Sequence, residues 1–134
     1  MQKKQARKQC LTSGARIVVW ALFAIFSGPA CSGEVEWSQN IRNADTAYRR
    51  ADYTLATSSL QLALKHAETF GEQDPRLANT LGQLAIVLQE QGHYDQAEPL
   101  LRRALVLKET RLGREHIDVV ESLNRLASLF KADR

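Results

Sequence analysis

The chain has only two cysteines among its 134 residues, and they form no cluster of the kind from which metal sites are built. Its three histidines, His66, His93 and His116, are scattered, and no two have the four-residue spacing of a helical metal motif. The sequence also lacks a glycine-rich phosphate loop and a nucleophile motif. We therefore expect no catalytic site, no metal and no cofactor, and we interpret the histidines as surface or loop residues.

Acidic residues are absent from the first 33 residues, which carry five of the 18 Lys and Arg residues. The remainder holds all 15 acidic residues against 13 basic ones, so its net charge is −2, whereas the whole chain has +3. A domain that binds nucleic acid needs a basic surface to neutralise phosphates, and the remainder has no such excess of positive charge. We therefore expect no nucleic-acid partner.

The first 33 residues have the order of a secretory leader. A basic segment to Arg16 is followed by ten apolar residues, Ile17 to Phe26, and then by small, turn-forming residues to Gly33. The uncharged run has 17 residues and contains glycine and proline, whereas a membrane-spanning helix needs about 20 mostly apolar residues. Two interpretations stay open for residues 1–33, a cleaved signal or lipoprotein signal and a retained single-pass anchor. Both predict a protein of the cell envelope, either periplasmic or attached to a membrane.

Cys31 is the candidate lipidation site. The sequence around it, PACS at residues 29–32, resembles a bacterial lipoprotein cleavage site, in which the cysteine becomes the lipidated first residue. Ala30 fits that pattern and Pro29 departs from it, so ordinary cleavage after Ala30 or after Gly33 stays open. Export favours disulfides, but processing would remove Cys10 and a lipid would occupy Cys31. We therefore expect no disulfide.

Beyond the leader the chain repeats itself. Residues 75–85 match residues 117–127 at a shift of 42, and residues 52–63 match residues 93–104 at a shift of 41. Such self-similarity is typical of stacked units that bury their apolar faces against one another. Apolar spacing and glycine or proline breaks predict five helices, at about residues 38–50, 54–70, 76–91, 94–112 and 118–131. Alanines that recur at 56 and 63, and at 97 and 104, predict close approach of paired helices.

The middle unit carries a family resemblance. Its pattern LAxxLxxxGxYxxAxxxxxxA, at residues 84–104, resembles the tetratricopeptide repeat. The 42-residue spacing and the stretches AEPLLRRAL and LGREH are similar to the kinesin light chain-like subtype. The resemblance implies an all-α fold, a short α-solenoid of about two and a half antiparallel helix pairs within residues 34–134. Its units would lie at about residues 37–70 and 77–112, with a half unit at 118–131.

The resemblance also implies a binding surface. In this family the first helix of each unit lines a concave groove that binds extended peptides, so we expect a protein or peptide partner. Carried onto this chain, the partner-facing positions are Tyr48, Arg49, Asn79, Gln83, Gln89, Glu90, Glu121, Asn124 and Arg125. These side chains can hydrogen-bond a main chain or make a flat contact. An ordinary solvated face is the competing interpretation, and helix capping is the simpler explanation for Glu90.

The fifth helix has no following partner in the sequence. We expect its inner face to pack on the fourth helix through Leu123, Leu126, Ala127 and Phe130. Its outer face would then carry the uncovered apolar residues Val119, Val120 and Leu129. This face either caps the stack or contacts another protein. The alternative function is therefore a structural subunit that forms homo-oligomers through this helix in an envelope complex.

Overall fold

The computed structural model describes residues 29–132, and most of the predicted leader lies outside these residues. The described residues form five α-helices, which are α1 (Pro29–Arg49), α2 (Tyr53–Thr69), α3 (Pro75–Glu90), α4 (Tyr94–Leu112) and α5 (Ile117–Ala132). Each helix packs chiefly on its neighbours in sequence, so α1–α2 and α3–α4 are pairs and α5 begins a third. The predicted all-α solenoid is confirmed. Helices α2 to α5 begin and end within one residue of their predicted bounds.

Helix α1 begins at Pro29, nine residues before the predicted start at residue 38. Contacts with α3 hold these early turns. Trp37 donates a hydrogen bond from Nε1 to Oγ1 of Thr80 at 3.0 Å, and Nη1 of Arg76 lies 3.0 Å from Oε1 of Glu34. The sequence did not reveal this extension because its partners are more than 40 positions away, and Trp37 and Thr80 are separated by 43 positions.

Arg76 is the centre of a mixed cluster at this end of the fold. Its Nε and Nη2 donate hydrogen bonds to the two carboxylate oxygens of Asp74, at 2.9 and 2.8 Å. Its Cζ lies 3.8 Å from the ring centroid of Phe70 and 5.7 Å from that of Trp37. Hydrogen bonding to Asp74 raises the pKa of Arg76 above its ordinary value although burial opposes the charge. The guanidinium is therefore a fixed cation that joins α1, the end of α2 and the start of α3.

Half of the buried apolar residues are alanines. Nine of the 18 are Ala44, Ala47, Ala56, Ala63, Ala67, Ala78, Ala85, Ala97 and Ala104. The others are leucines and valines, and most of the buried residues fall into two clusters, one joining all five helices and one joining α2, α3 and α4. Because an alanine side chain extends little beyond the backbone, these positions allow helices to approach at the lower end of the usual ~8–10 Å. The burial of all four recurring alanines agrees with the prediction of close approach.

Each of the four turns between the described helices contains a residue with positive φ, and the turns after α1 and α3 can be compared directly. Gly92 follows α3 with φ of +77°, and its N–H donates to the carbonyl of Gln89 at 3.0 Å. This confirms the predicted helix stop at Gly92. Ala51 occupies the equivalent place after α1 with φ of +59°. A residue with a Cβ pays roughly 1–2 kcal/mol in that conformation.

Helix α5 buries a different side from the one predicted. Val119 and Leu129 are buried, although both were expected on the outer face, whereas Leu123 and Phe130 are 45% and 41% exposed. Ala127 is exposed, and Leu126 is half-buried against the core. The prediction was therefore wrong for most of the helix.

The cause is the way in which the helix was matched to α3. A first helix of this array has two apolar sides, one against the preceding pair and one against its own partner helix. Because the sequence of α5 matches that of α3, residues of both apolar sides of α3 have counterparts in α5. Because α5 has no partner helix among the described residues, only the side toward the preceding pair is covered.

Replacing Ala51 with glycine should stabilise the fold. Ala51→Gly removes steric strain at φ of +59°, and the extra freedom of the unfolded chain offsets part of the gain, leaving about 0.5–1 kcal/mol. Gly92→Ala should cost about 1 kcal/mol by introducing the same strain. A Cβ there meets no atom within 4 Å, so the backbone alone is tested. Thermal melting followed by circular dichroism measures both changes, and a lower melting temperature for Ala51→Gly would contradict the strain.

A larger residue in place of an alanine at the seam, the line along which α3 and α4 pack, should destabilise this pair. Ala104 is 2% exposed and packs in one cluster with Leu77 and Leu81, so Ala104→Leu should overpack it by about 1–3 kcal/mol. Val106→Leu, at a position of the same helix that is 57% exposed, is the matched control and should change stability by less than about 0.5 kcal/mol. Equal melting temperatures for the two variants would show that Ala104 is not part of the seam.

Candidate functional site

The first helices of the units, α1, α3 and α5, present one common side, which we call the first-helix face. It includes Tyr48 of α1, Gln83 of α3 and Arg125 of α5. Two cavities open on it, one between α1 and α3 and one between α3 and α5. Gln83 and Ile86 of α3 line both cavities and therefore form the ridge between them. The two cavities together form a groove that crosses all three helices.

The first cavity is mainly apolar and has a volume of about 230 Å³. It is lined by Ile41, Ala44, Asp45, Tyr48, Leu60, Gln83, Ile86 and Val87. The ring of Tyr48 lies 5.7 Å from that of Tyr53. Burial raises the pKa of Tyr48 above its ordinary value, and the charges of Glu90 and Tyr53 raise it further. The phenol is therefore neutral near pH 7 and can both donate and accept a hydrogen bond.

The second cavity is more polar, and its volume is about 390 Å³. Its charged and hydroxyl-bearing lining residues are Lys108 of α4 and Glu121, Ser122 and Arg125 of α5. Nζ of Lys108 donates to Oγ of Ser122 at 3.1 Å, and Nη2 of Arg125 lies 3.6 Å from Oε1 of Glu121. Two cations and one carboxylate give this cavity a positive excess. Its α3 wall includes Gly82, where a Cβ would meet no atom within 4 Å.

The structure brings together part of the set that the sequence predicted. Five of the nine predicted residues line the groove, namely Tyr48, Asn79, Gln83, Glu121 and Arg125. The other four line neither cavity, namely Arg49, Gln89, Glu90 and Asn124. Arg49 is instead paired with Asp45, whose carboxylate lies 2.8 Å from its Nη2. Partner binding by all nine residues stays a prediction.

Sequence reasoning missed Lys108. The resemblance assigns the groove to first helices, whereas Lys108 lies on α4, the second helix of its pair. Its side chain nevertheless reaches the first-helix face and donates to Ser122 of α5. The sequence did contain a signal for this contact. Lys108 continues the apolar stripe of its helix, and a charged side chain at such a position needs a polar partner.

The histidines have local contacts that favour structural roles. His66 is half-buried, and its Nε2 lies 3.4 Å from a carboxylate oxygen of Glu36. Nδ1 of His116 accepts a hydrogen bond from the backbone N–H of Asp118 at 3.2 Å, at the start of α5. Within residues 29–132, no three His, Cys, Asp or Glu residues are grouped so that they could hold a metal ion. In the same range, no helix combines the length and apolar character needed to span a membrane.

Comparison with known proteins identifies a family. The tetratricopeptide repeat family matches residues 34–110, which is more than half of the chain and covers most of α1 to α4. No curated protein matches the chain. Tetratricopeptide repeats generally mediate binding between proteins and are typically non-catalytic. From the five helices packed in sequential pairs, the repeat in the sequence and this match, we conclude that the chain belongs to the tetratricopeptide repeat family.

Proposed function

We propose that this protein is a non-catalytic module that binds an extended segment of a partner protein along the groove. The observation that carries the proposal is the continuity of the two cavities across α1, α3 and α5, with Gln83 and Ile86 shared between them. In an extended peptide every second side chain points to the same face. Two such side chains could therefore enter the two cavities while the main chain crosses the ridge.

The two cavities favour different chemistry. The first, at about 230 Å³, is smaller than the ~300–1,000 Å³ of small-molecule sites and suits an apolar side chain of a partner. The second offers the amide of Asn79 and the donors of Lys108 and Arg125. Gln83 stands on the ridge, where an amide can donate to and accept from a peptide main chain. This arrangement predicts a partner segment with an apolar residue and, beside it, polar or main-chain acceptors.

We also propose that the repeats are of the kinesin light chain-like subtype. A 42-residue register supports this assignment, because three pairs of residues at that shift are buried in both α3 and α5. These pairs are Leu77 and Val119, Thr80 and Ser122, and Val87 and Leu129.

For localisation, we propose that residues 1–33 direct the protein to the cell envelope, as their basic, apolar and small-residue order indicates. Three versions stay open, namely a cleaved signal, a lipid on Cys31 and a retained single-pass anchor.

The groove is tested by removing side chains that line it. Tyr48→Ala, Gln83→Ala and Arg125→Ala, made together, should weaken partner binding by at least about 2 kcal/mol while helical content is unchanged. The measurement is recovery of binding proteins from an envelope extract on the immobilised chain, with circular dichroism as the check on folding. The matched control is Arg49→Ala with Asn124→Ala, two predicted residues that line neither cavity.

The two variants separate the possible outcomes. Loss of the same proteins from the groove variant alone supports binding in the groove. Equal recovery by the groove variant and the unmodified chain would show that partners bind elsewhere. Loss in the control alone would place binding outside the cavities, on the rim of the first-helix face.

Processing of the leader has its own test. If the leader is cleaved, the mature protein begins between Cys31 and Glu34, and the intact mass of protein extracted from the envelope will show it. Each of these starts retains Glu34 and Trp37, so their contacts with α3 survive. A species that still begins at Met1 would contradict cleavage and favour the anchor. If Cys31 carries a lipid, Cys31→Ala should abolish membrane association, and its persistence would exclude the lipoprotein version.

A further inference from the structure

Helix α5 carries an apolar stripe that the described chain covers only in part, formed by Val120, Leu123, Ala127 and Phe130, which we call the bare face. At its end Cζ of Arg102 lies 5.8 Å from the ring centroid of Phe130. Val120, Leu123 and Phe130 are 42%, 45% and 41% exposed. Their spacing of three, four and three residues places them on one side of the helix over three turns. Contiguous exposed apolar residues commonly mark an interaction surface.

The chain contains a covered copy of the bare face. At a shift of 42 residues its counterparts in α3 are Ala78, Leu81, Ala85 and Leu88. All four are at most 5% exposed, because α4 packs against them. The same positions are therefore buried in α3 and exposed in α5, and the difference between the two helices is the presence of a partner helix.

The α3–α4 interface also shows what kind of helix fits such a stripe. Ala85 and Leu88 pack in one cluster with Ala97 and Leu101 of α4. Leu81 packs in the other cluster with Ala104, and Leu107 borders it. The covering helix thus alternates small and large residues, at positions 97, 101, 104 and 107. The small residues matter because they give room to the bulky side chains of the first helix.

In a second copy of the chain, helices α2, α3 and α4 offer no exposed surface with this alternation of alanine and leucine. Every alanine of α2, α3 and α4 is buried in the interior of its own chain. The bare face itself has one alanine and three larger residues, so two bare faces would meet with fewer small residues than the α3–α4 seam contains. The occupant that fits the interface is therefore a helix of another protein.

We propose that the bare face of α5 binds an amphipathic helix of a partner protein, antiparallel to α5, with small residues seven positions apart and large apolar residues between and after them. This surface is separate from the groove, because none of its four residues lines either cavity. The protein thus has two binding surfaces of different kinds, one for an extended segment and one for a helix.

A peptide with the sequence of residues 93–112 of this chain is a defined probe. Isolated helices of about this length are marginal in water, so Arg102→Lys and Val106→Glu are introduced into the peptide and joined by a lactam. Both positions are exposed on α4. Binding of the fluorescein-labelled peptide to the full chain is measured by anisotropy, and hydrogen exchange locates the peptide. A peptide that also carries Leu101→Glu is the control for the apolar contact.

Two variants of the chain complete the design. Leu123→Glu with Phe130→Glu changes the bare face at exposed positions, so the fold should be retained. Leu55→Glu with Leu62→Glu is the matched control, because these α2 leucines are each 53% exposed. We expect the bare-face variant to bind the peptide at least tenfold more weakly than the unmodified chain. The control variant should bind within twofold, and the peptide should protect the amides of α5.

Several results would overturn the proposal. Absence of saturable binding to the unmodified chain would show that the bare face does not accept this kind of helix. Equal loss of binding in both variants would show that the peptide contacts apolar surface without preference. A dimer in sedimentation that Leu123→Glu with Phe130→Glu dissolves would identify a second copy as the occupant.

Discussion

The helices of this protein meet at alanines, and the rest of the structure depends on that close approach. Alanine contributes little apolar area by itself, so each seam draws its stability from the leucines beside it, such as Leu81 and Leu101. Those leucines reach a partner only when the backbones are near one another. The size of a few side chains therefore sets the geometry of the α1–α2 and α3–α4 pairs. That geometry in turn fixes the spacing of α1, α3 and α5, on which the groove is built.

The groove and the bare face arise from the same architecture in different ways. A first helix must cover the preceding pair with one side and its own partner helix with another. The side that remains is not covered by these contacts, and on α1, α3 and α5 it forms the groove. On α5 the partner side is exposed as well, because the described chain ends with this helix. Helix α5 consequently carries two exposed surfaces, a polar one that lines the groove and the apolar bare face.

The sequence was sufficient to place the helices, because the signals that begin and end a helix are local. Apolar spacing, Gly92 and Pro75 act over a few residues, so α2 to α5 could be placed almost to the residue. It was insufficient where burial depends on a distant partner. The early turns of α1 depend on Thr80 and Arg76, and the choice between the two apolar sides of α5 depends on which of them another described helix covers.

For the site, the family resemblance indicated the first-helix face and residues such as Gln83 and Arg125, which line the groove. It could not show that Lys108 reaches this face from α4, since that depends on how the two helices are rotated. Among the nine predicted positions, it could not separate those that line a cavity from those on the rim, such as Arg49, for the same reason.

The cluster around Arg76 changes how the array should unfold. Repeat proteins often behave as a row of units in which each has its own stability and adds an interface with the next. Here one guanidinium contacts Glu34 of the first helix, Phe70 at the end of the second and Asp74 at the start of the third. The first pair cannot separate from the second without breaking the ion pair between Arg76 and Glu34 and the contact of Arg76 with the ring of Phe70 together. This coupling favours cooperative unfolding of α1 to α4 over stepwise loss from the amino-terminal end.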